Sequence, residues 1–198
     1  MKKRIIFCLG SNLGNRERNL NQAIENLILM LELSKIKKSN ILQNEAMMPY
    51  NAPKSWNIDF LNIAISADIN LEKFDVLKIL KICKIIEEKL GRKERERWAP
   101  REIDIDILAI EDLFFDYGKK LKIPHQELFN RDFFKIGFNS SIIFSASFKL
   151  LQYMSPLYEP ETSGLNSIIH FLQLSLENLN LSKIKNNLIN SNTFFGSI

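Results

Sequence analysis

The sequence predicts an α+β fold, one antiparallel sheet with helices packed on it, and three observations carry that reading. Apolar residues change period along the chain in the order strand, helix, strand, strand, helix, strand. Gly, Pro and Asn cluster where the period changes, and residues 102–107 alternate an acid with isoleucine. A β-α-β-β-α-β order is that of the ferredoxin-like plait.

Residues 4–9 form a short apolar run, read as a first buried strand. Gly10, Ser11, Asn12, Leu13, Gly14 and Asn15 follow, a turn-rich stretch that also suits a helix cap. Leu20, Ala23, Ile24, Leu27, Ile28 and Leu31 recur at steps of three and four, predicting an amphipathic helix over residues 16–33. Residues 43–57 carry Pro49, Asn51, Ala52, Pro53 and the adjacent Met47 and Met48, a composition that predicts a long loop. Residues 58–67 alternate as a strand, and residues 71–90 repeat with helical period up to Gly91, a residue favoured just past a helix end. The second strand of the order is not assigned to particular residues. Residues 102–110 make the clearest strand, with Ile103, Ile105 and Ile107 on one face and Asp104 and Asp106 on the other.

With 198 residues and 45% hydrophobic content the chain can bury one sizeable core. The expected organisation is one domain over residues 1–160 and a divergent tail over 161–198, partly helical or mobile. A net charge of +4, from 27 basic and 23 acidic residues, is compatible with nucleic acid, a membrane surface or a nucleotide. Cys8 and Cys83 lie far apart in apolar stretches, as buried thiols of a reducing, cytoplasmic setting would. The apolar run after Lys2, Lys3 and Arg4 is too short for a secretory signal. No stretch reaches the ~20 apolar residues of a membrane span.

Two carboxylates on one strand face repel each other unless a cation lies between them, so Asp104 and Asp106 call for a metal. Magnesium takes one or two carboxylates, waters and substrate phosphate oxygens. The alternative is the solvated polar face of an edge strand. Just before them, Arg92, Arg95, Arg97 and Arg101 offer charge-assisted, bidentate contacts to phosphate, against the plainer reading of a solvated loop. Trp98 in that loop can stack on a flat heterocycle or pin the loop to the core. His125, taken alone beside Pro124, reads as a structural residue, and His170 is assigned nothing.

Arg97-Trp98-Ala99-Pro100-Arg101-Glu102-Ile103-Asp104-Ile105-Asp106 resembles the signature of the dihydropterin pyrophosphokinases, an Arg-Trp-Gly-Pro-Arg run leading to Asp-x-Asp. Gly10 to Gly14, Asp59-Phe60-Leu61-Asn62, and Ile123-Pro124-His125 followed by Asn130-Arg131 match in the expected order, so the resemblance covers residues 4–133. It implies an enzyme of folate synthesis that moves the diphosphate of ATP onto 6-hydroxymethyl-7,8-dihydropterin and releases AMP. It implies two magnesium ions (Mg2+) on Asp104 and Asp106, with Arg92 and Arg101 joining these acids as catalytic residues. Arg92, Arg97, Arg101, His125 and Arg131 would meet the nucleotide, with Glu87, Ile107 and Trp98 near it. Asn62 would bond the pterin, Phe60 and Phe133 would sandwich it, and the backbone of Ala46, Met47 and Met48 would read its edge. Trp98, Arg101 and Asp104 would border it where the groups react.

The chain departs from the pattern at Ala99, where the family has glycine, at Lys84, commonly glutamine, and at Gln126, often aromatic. Residues 135–151 lack the family's last apolar strand, which leaves divergence, a reading-frame disturbance or a lead into a second folate enzyme as explanations. The partners implied are the two small substrates and, by association, dihydropteroate synthase; a monomer binding neither nucleic acid nor membrane is expected. Two rivals stand: a catalytically impaired relative that binds pterin or nucleotide, and an RNA-binding ferredoxin-like module, which would bind RNA without magnesium.

Overall fold

The computed structural model describes residues 1–128 and Arg131. Asn130, Phe133, His170, the expected boundary at residue 160 and the expected last edge strand lie outside the described residues.

Strand β1 (Lys2–Ser11) is buried along its last seven residues because it runs through the middle of the sheet, with both neighbours antiparallel to it. Helix α1 (Arg16–Met30) follows, its start fixed by the Asn15 side chain accepting from the Arg18 N–H. It stops short of residue 33 because Glu32 turns to φ +50° and the Leu33 N–H reaches back to the Ile28 carbonyl. The unassigned strand is β2 (Ser34–Lys38) with β3 (Leu42–Asn44), an interrupted edge laid along one partner strand. β3 therefore takes the first residues of the expected loop over 43–57, and the rest is irregular except for a 3-10 turn at Lys54–Trp56.

β4 (Phe60–Asn70) pairs with β1 from Leu61 to Asn70. Helix α2 (Val76–Lys89) begins five residues later than the apolar period suggests, because Asn70 and Asp75 side chains capture the N–H groups of Glu72 and Lys78 and hold residues 71–75 in a turn. It ends as the sequence predicts. Gly91 takes φ +92°, and the N–H groups of Gly91 and Arg92 bond the Glu88 and Glu87 carbonyls. β5 (Asp104–Ile110) completes the sheet, in the order β2-β4-β1-β5 with β3 also on β4, the ferredoxin-like arrangement. A short ribbon, β6 (Phe115–Asp116) with β7 (Lys122–Ile123), follows, and Ile123-Pro124 is cis.

One sheet face carries the core. Phe7, Leu9, Ile63, Ile65, Ile105 and Ile107 meet Leu20, Ile24 and Leu27 of α1 and Ile79, Cys83 and Ile86 of α2. Each such side chain contributes about 1.5–3 kcal/mol by leaving water. A bulge opposite Ile6 and Phe7 shifts the β5 register by one, which returns Ile110 to the core face. Cys8 and Cys83 are free and buried, and burial pushes the Cys83 thiol up to about 12. Among the described residues no helix is long and apolar enough to cross a membrane.

Candidate active site

Among the described residues both helices pack on the core face, and the polar residues of the other face gather at one end for a topological reason. β4 and β5 both run opposite to β1, so both begin where β1 ends. The loops leading into them, residues 45–59 and 92–103, therefore meet over the same three strand ends. Register sets Asn62, Gly10 and Asp104 in one row, with Cys8 and Asp106 in the next row that joins β1 to β5. A Cβ on Gly10 would fall 2.6 Å from the Asn62 Oδ1, so this close approach requires glycine.

A cleft opens on that row. It is lined by Phe60 and Asn62 from β4, Met47 from the first loop, Arg97, Trp98 and Arg101 from the second, Asp104 and Asp106 from β5, and His125 and Arg131. The structure thus brings together ten residues that the resemblance assigns to substrates. Ala46 and Met48 flank Met47 but do not line the cleft. Ile107 is 2% exposed in the core and also borders a further recess with Lys84, Asp106 and His125. Arg92 and Glu87 stand behind Asp104, around a second recess shared with Lys84, Arg97 and Arg101.

Sequence reasoning missed Asn44, Glu45, Cys8 and Gly10, which also line the cleft. Cys8 and Gly10 were available from alternation, since Phe7 and Leu9 take the core face. Asn44 was not, because β3 is too short to show a period; its Oδ1 accepts from the Asn62 Nδ2. A further recess beyond Asp106 and His125 is bordered by Lys84, Lys119, Lys120 and Lys122, of which only Lys84 entered the sequence argument.

The two acids differ in surroundings. Asp104 gives one oxygen to Arg92 Nη1 and the other to Arg101 Nη1, the latter at 2.9 Å. Burial alone would raise its carboxyl, but these two guanidinium groups hold it below the ordinary carboxylate range. Asp106 lies 4.0 Å from His125, Nε2 to Oδ1, and within range of the Arg131 charge. Burial, reinforced by the Asp104 charge, pushes its carboxyl up to about 7. Burial and then the Arg131 charge lower His125. Glu87, 2% exposed, accepts from the Ile105 N–H at 2.8 Å and from Lys84, and pairs with Arg92 at 2.8 Å. Burial outweighs those cations and raises its carboxyl.

Asp104 and Asp106 have side chains 24% and 30% exposed, on one face and two residues apart, so their oxygens can reach a common cation from the cleft floor. Among the described residues no group of three or more His, Cys, Asp or Glu is placed to hold a metal ion by itself. A hard cation taking two protein carboxylates and completing its shell with water and phosphate fits this donor set; a structural zinc does not.

Comparison with known proteins gives the family. The family model described as 7,8-dihydro-6-hydroxymethylpterin-pyrophosphokinase (HPPK) matches residues 6–140, and the chain belongs to that family. Members named in this way are pyrophosphokinases, a class of transferase. The 2-amino-4-hydroxy-6-hydroxymethyldihydropteridine pyrophosphokinase of Aquifex aeolicus is 42% identical over 130 residues, covering 64% of this chain and 72% of that protein. A folate synthesis bifunctional protein of Chlamydia trachomatis is 32% identical over 130 residues, 65% of this chain but 28% of its own length. The solved Plasmodium falciparum HPPK-DHPS with pterin and p-hydroxybenzoate is 14% identical, with a TM-score of 0.48 over 80% of this chain and 45% of that one.

Proposed function

We propose that this chain transfers the diphosphate of ATP to the hydroxymethyl oxygen of 6-hydroxymethyl-7,8-dihydropterin and releases AMP, a step of folate synthesis. The observation that carries the proposal is that Asp104 and Asp106 share one cleft with Trp98, Phe60 and Asn62 on one side and His125 with a lysine-lined recess on the other. A flat heterocycle suits the first side: Phe60 and Trp98 offer stacking faces, and the Asn62 amide, held by Asn44, offers paired donor and acceptor. A polyanion suits the second, where Lys84, Lys120, Lys122 and His125 surround the space, and Arg92, Arg97 and Arg101 line a separate recess that also has Lys84 at its edge. Phosphoryl-type transfer depends chiefly on in-line positioning and neutralisation of developing charge, and this cast supplies both.

Asp104 and Asp106 would hold magnesium, which when bound neutralises phosphate charge and polarises the phosphoryl oxygens. Arg101 would follow the charge that builds on the transferred group, and the loop over 92–103 would exclude water that otherwise competes as acceptor. Arg131 and His125 would orient the phosphates. The bifunctional relatives motivate one extension, that the product passes to dihydropteroate synthase in a partner chain.

Purified chain, ATP, magnesium and the dihydropterin alcohol should yield AMP only when the pterin is present. Asp104→Ala should lower turnover about 10²-fold or more, the several kcal/mol expected from a lost metal ligand, with only modest loss of Tm. Pterin-independent AMP, or full turnover in the variant, would remove the assignment.

A further inference from the structure

The two loops that border the cleft are joined at their bases by one buried side chain. Asn12 follows β1 directly and is 2% exposed. Its Oδ1 accepts from the Arg101 N–H at 2.8 Å, while its own N–H donates to the Arg101 carbonyl at 3.2 Å. Its Nδ2 donates to the Ile58 carbonyl at 3.0 Å. Ile58 ends the loop over 45–59, and Arg101 lies in the loop over 92–103. The amide orientation is dictated by its partners, because a flipped amide would set donor against donor at Arg101 and acceptor against acceptor at Ile58.

β1 is flanked by β4 and β5, and its ladders with them end at Ser11 and Gly10. One step further on, where β1 leaves the sheet, the Asn12 side chain takes over from the main chain and stitches it to both neighbours. Each neighbouring segment has a tether of its own as well. Arg16 Nη1 donates to the Asp59 carbonyl at 2.9 Å, and Ser11 Oγ and Asn19 Nδ2 both donate to the Glu102 carbonyl. Asn12 differs in gripping both sides and in gripping Arg101 itself, the residue whose Nη1 meets Asp104.

We infer that Asn12 is a positioning residue for the transfer reaction: it sets the Arg101 backbone, and so the reach of its guanidinium, against the base of the loop over 45–59. This rests on the function proposed above. Hydrophobic burial does not account for the residue, since a buried amide at a strand end stabilises only when each polar atom is matched, as here. The pattern is also directional. Removing the acceptor frees Arg101, and removing the donor frees Ile58.

Two variants of the full chain separate the arms. Asn12→Ala loses both. Asn12→Asp keeps the acceptor for Arg101 but turns a carboxylate oxygen toward the Ile58 carbonyl. Amide hydrogen exchange should rise at least about tenfold at Arg101 in Asn12→Ala, with residues 54–58 also faster. In Asn12→Asp, exchange should rise over 54–58 while Arg101 stays protected. AMP formation should show kcat reduced at least about tenfold in Asn12→Ala at temperatures well below its Tm, with KM for ATP changed less. A lowered Tm with unchanged kcat, or an Arg101 amide as protected in Asn12→Ala as in the parent chain, overturns the inference. Should Asn12→Ala not fold, Asn12→Asp decides it: faster exchange confined to 54–58 supports the two-armed link, and equal change at both places or at neither refutes it. Exchange needs no turnover, so a parent chain that makes no AMP would undo the function while leaving the Asn12 geometry testable.

Discussion

Asp106 is an acid placed beside another acid whose charge two arginines already satisfy, and its carboxyl is pushed up to about 7 by burial and by Asp104. Its value when unfolded is about 4. Between those limits the folded chain keeps a proton that the unfolded chain has released, so this group makes stability fall as pH rises from about 4 to about 7. Asp104 has the opposite sign: its folded value is depressed, and its contribution is lost as pH drops through that value. In chelator, Asp106→Asn should therefore gain Tm relative to the parent chain as pH is raised from 5 to 8, with little difference at the acid end. A gap that is constant with pH would show that Asp106 is not perturbed. The acid pair and its arginines were legible as letters in the sequence. Their unequal sharing was not, because it depends on Arg92 reaching from the end of α2 to Asp104 while Glu87 holds it from below.

At the scale of elements, long periodic segments were read correctly and short ones were not. α1, α2, β1, β4 and β5 each bury enough apolar residues to impose a period. β2 and β3 carry five and three residues at an edge, none of them buried, so nothing in their composition marks them. The start of α2 was placed too early for a related reason, since Asn70 and Asp75 act through side-chain bonds that periodicity does not register. Pairing between strands has a sharper consequence at Gly10, which has space for no Cβ beside Asn62 and Phe60. Gly10→Ala should displace Asn62 from its bond with Asn44, costing about 1–3 kcal/mol of stability and raising KM for the pterin about tenfold. Denaturant unfolding and steady-state kinetics would check it, and an unchanged pterin KM would place the ring elsewhere.

For the molecule as a whole, the strand order explains why a cleft exists at all: a central strand ends where both of its neighbours begin, and on the face away from α1 and α2 Asn62, Asp104 and Asp106 come together near those ends. The succession of elements along the chain was readable from sequence apart from its second strand, whereas the convergence of loops 45–59 and 92–103 needed pairing register that no single segment encodes. Magnesium binding with and without a nonhydrolysable nucleotide tests the assembled site, and calorimetry should show the nucleotide tightening the metal by at least about tenfold. Equal affinities would contradict it. The reason lies in the double arginine grip on Asp104. A divalent ion arriving by itself would have to displace two guanidinium groups from Asp104, of which Arg92 would keep Glu87 as a partner. If the proposed function holds, a triphosphate would offer those guanidinium groups another anion, so its arrival would free the carboxylate for a metal, and order of arrival would follow from a swap of ionic partners.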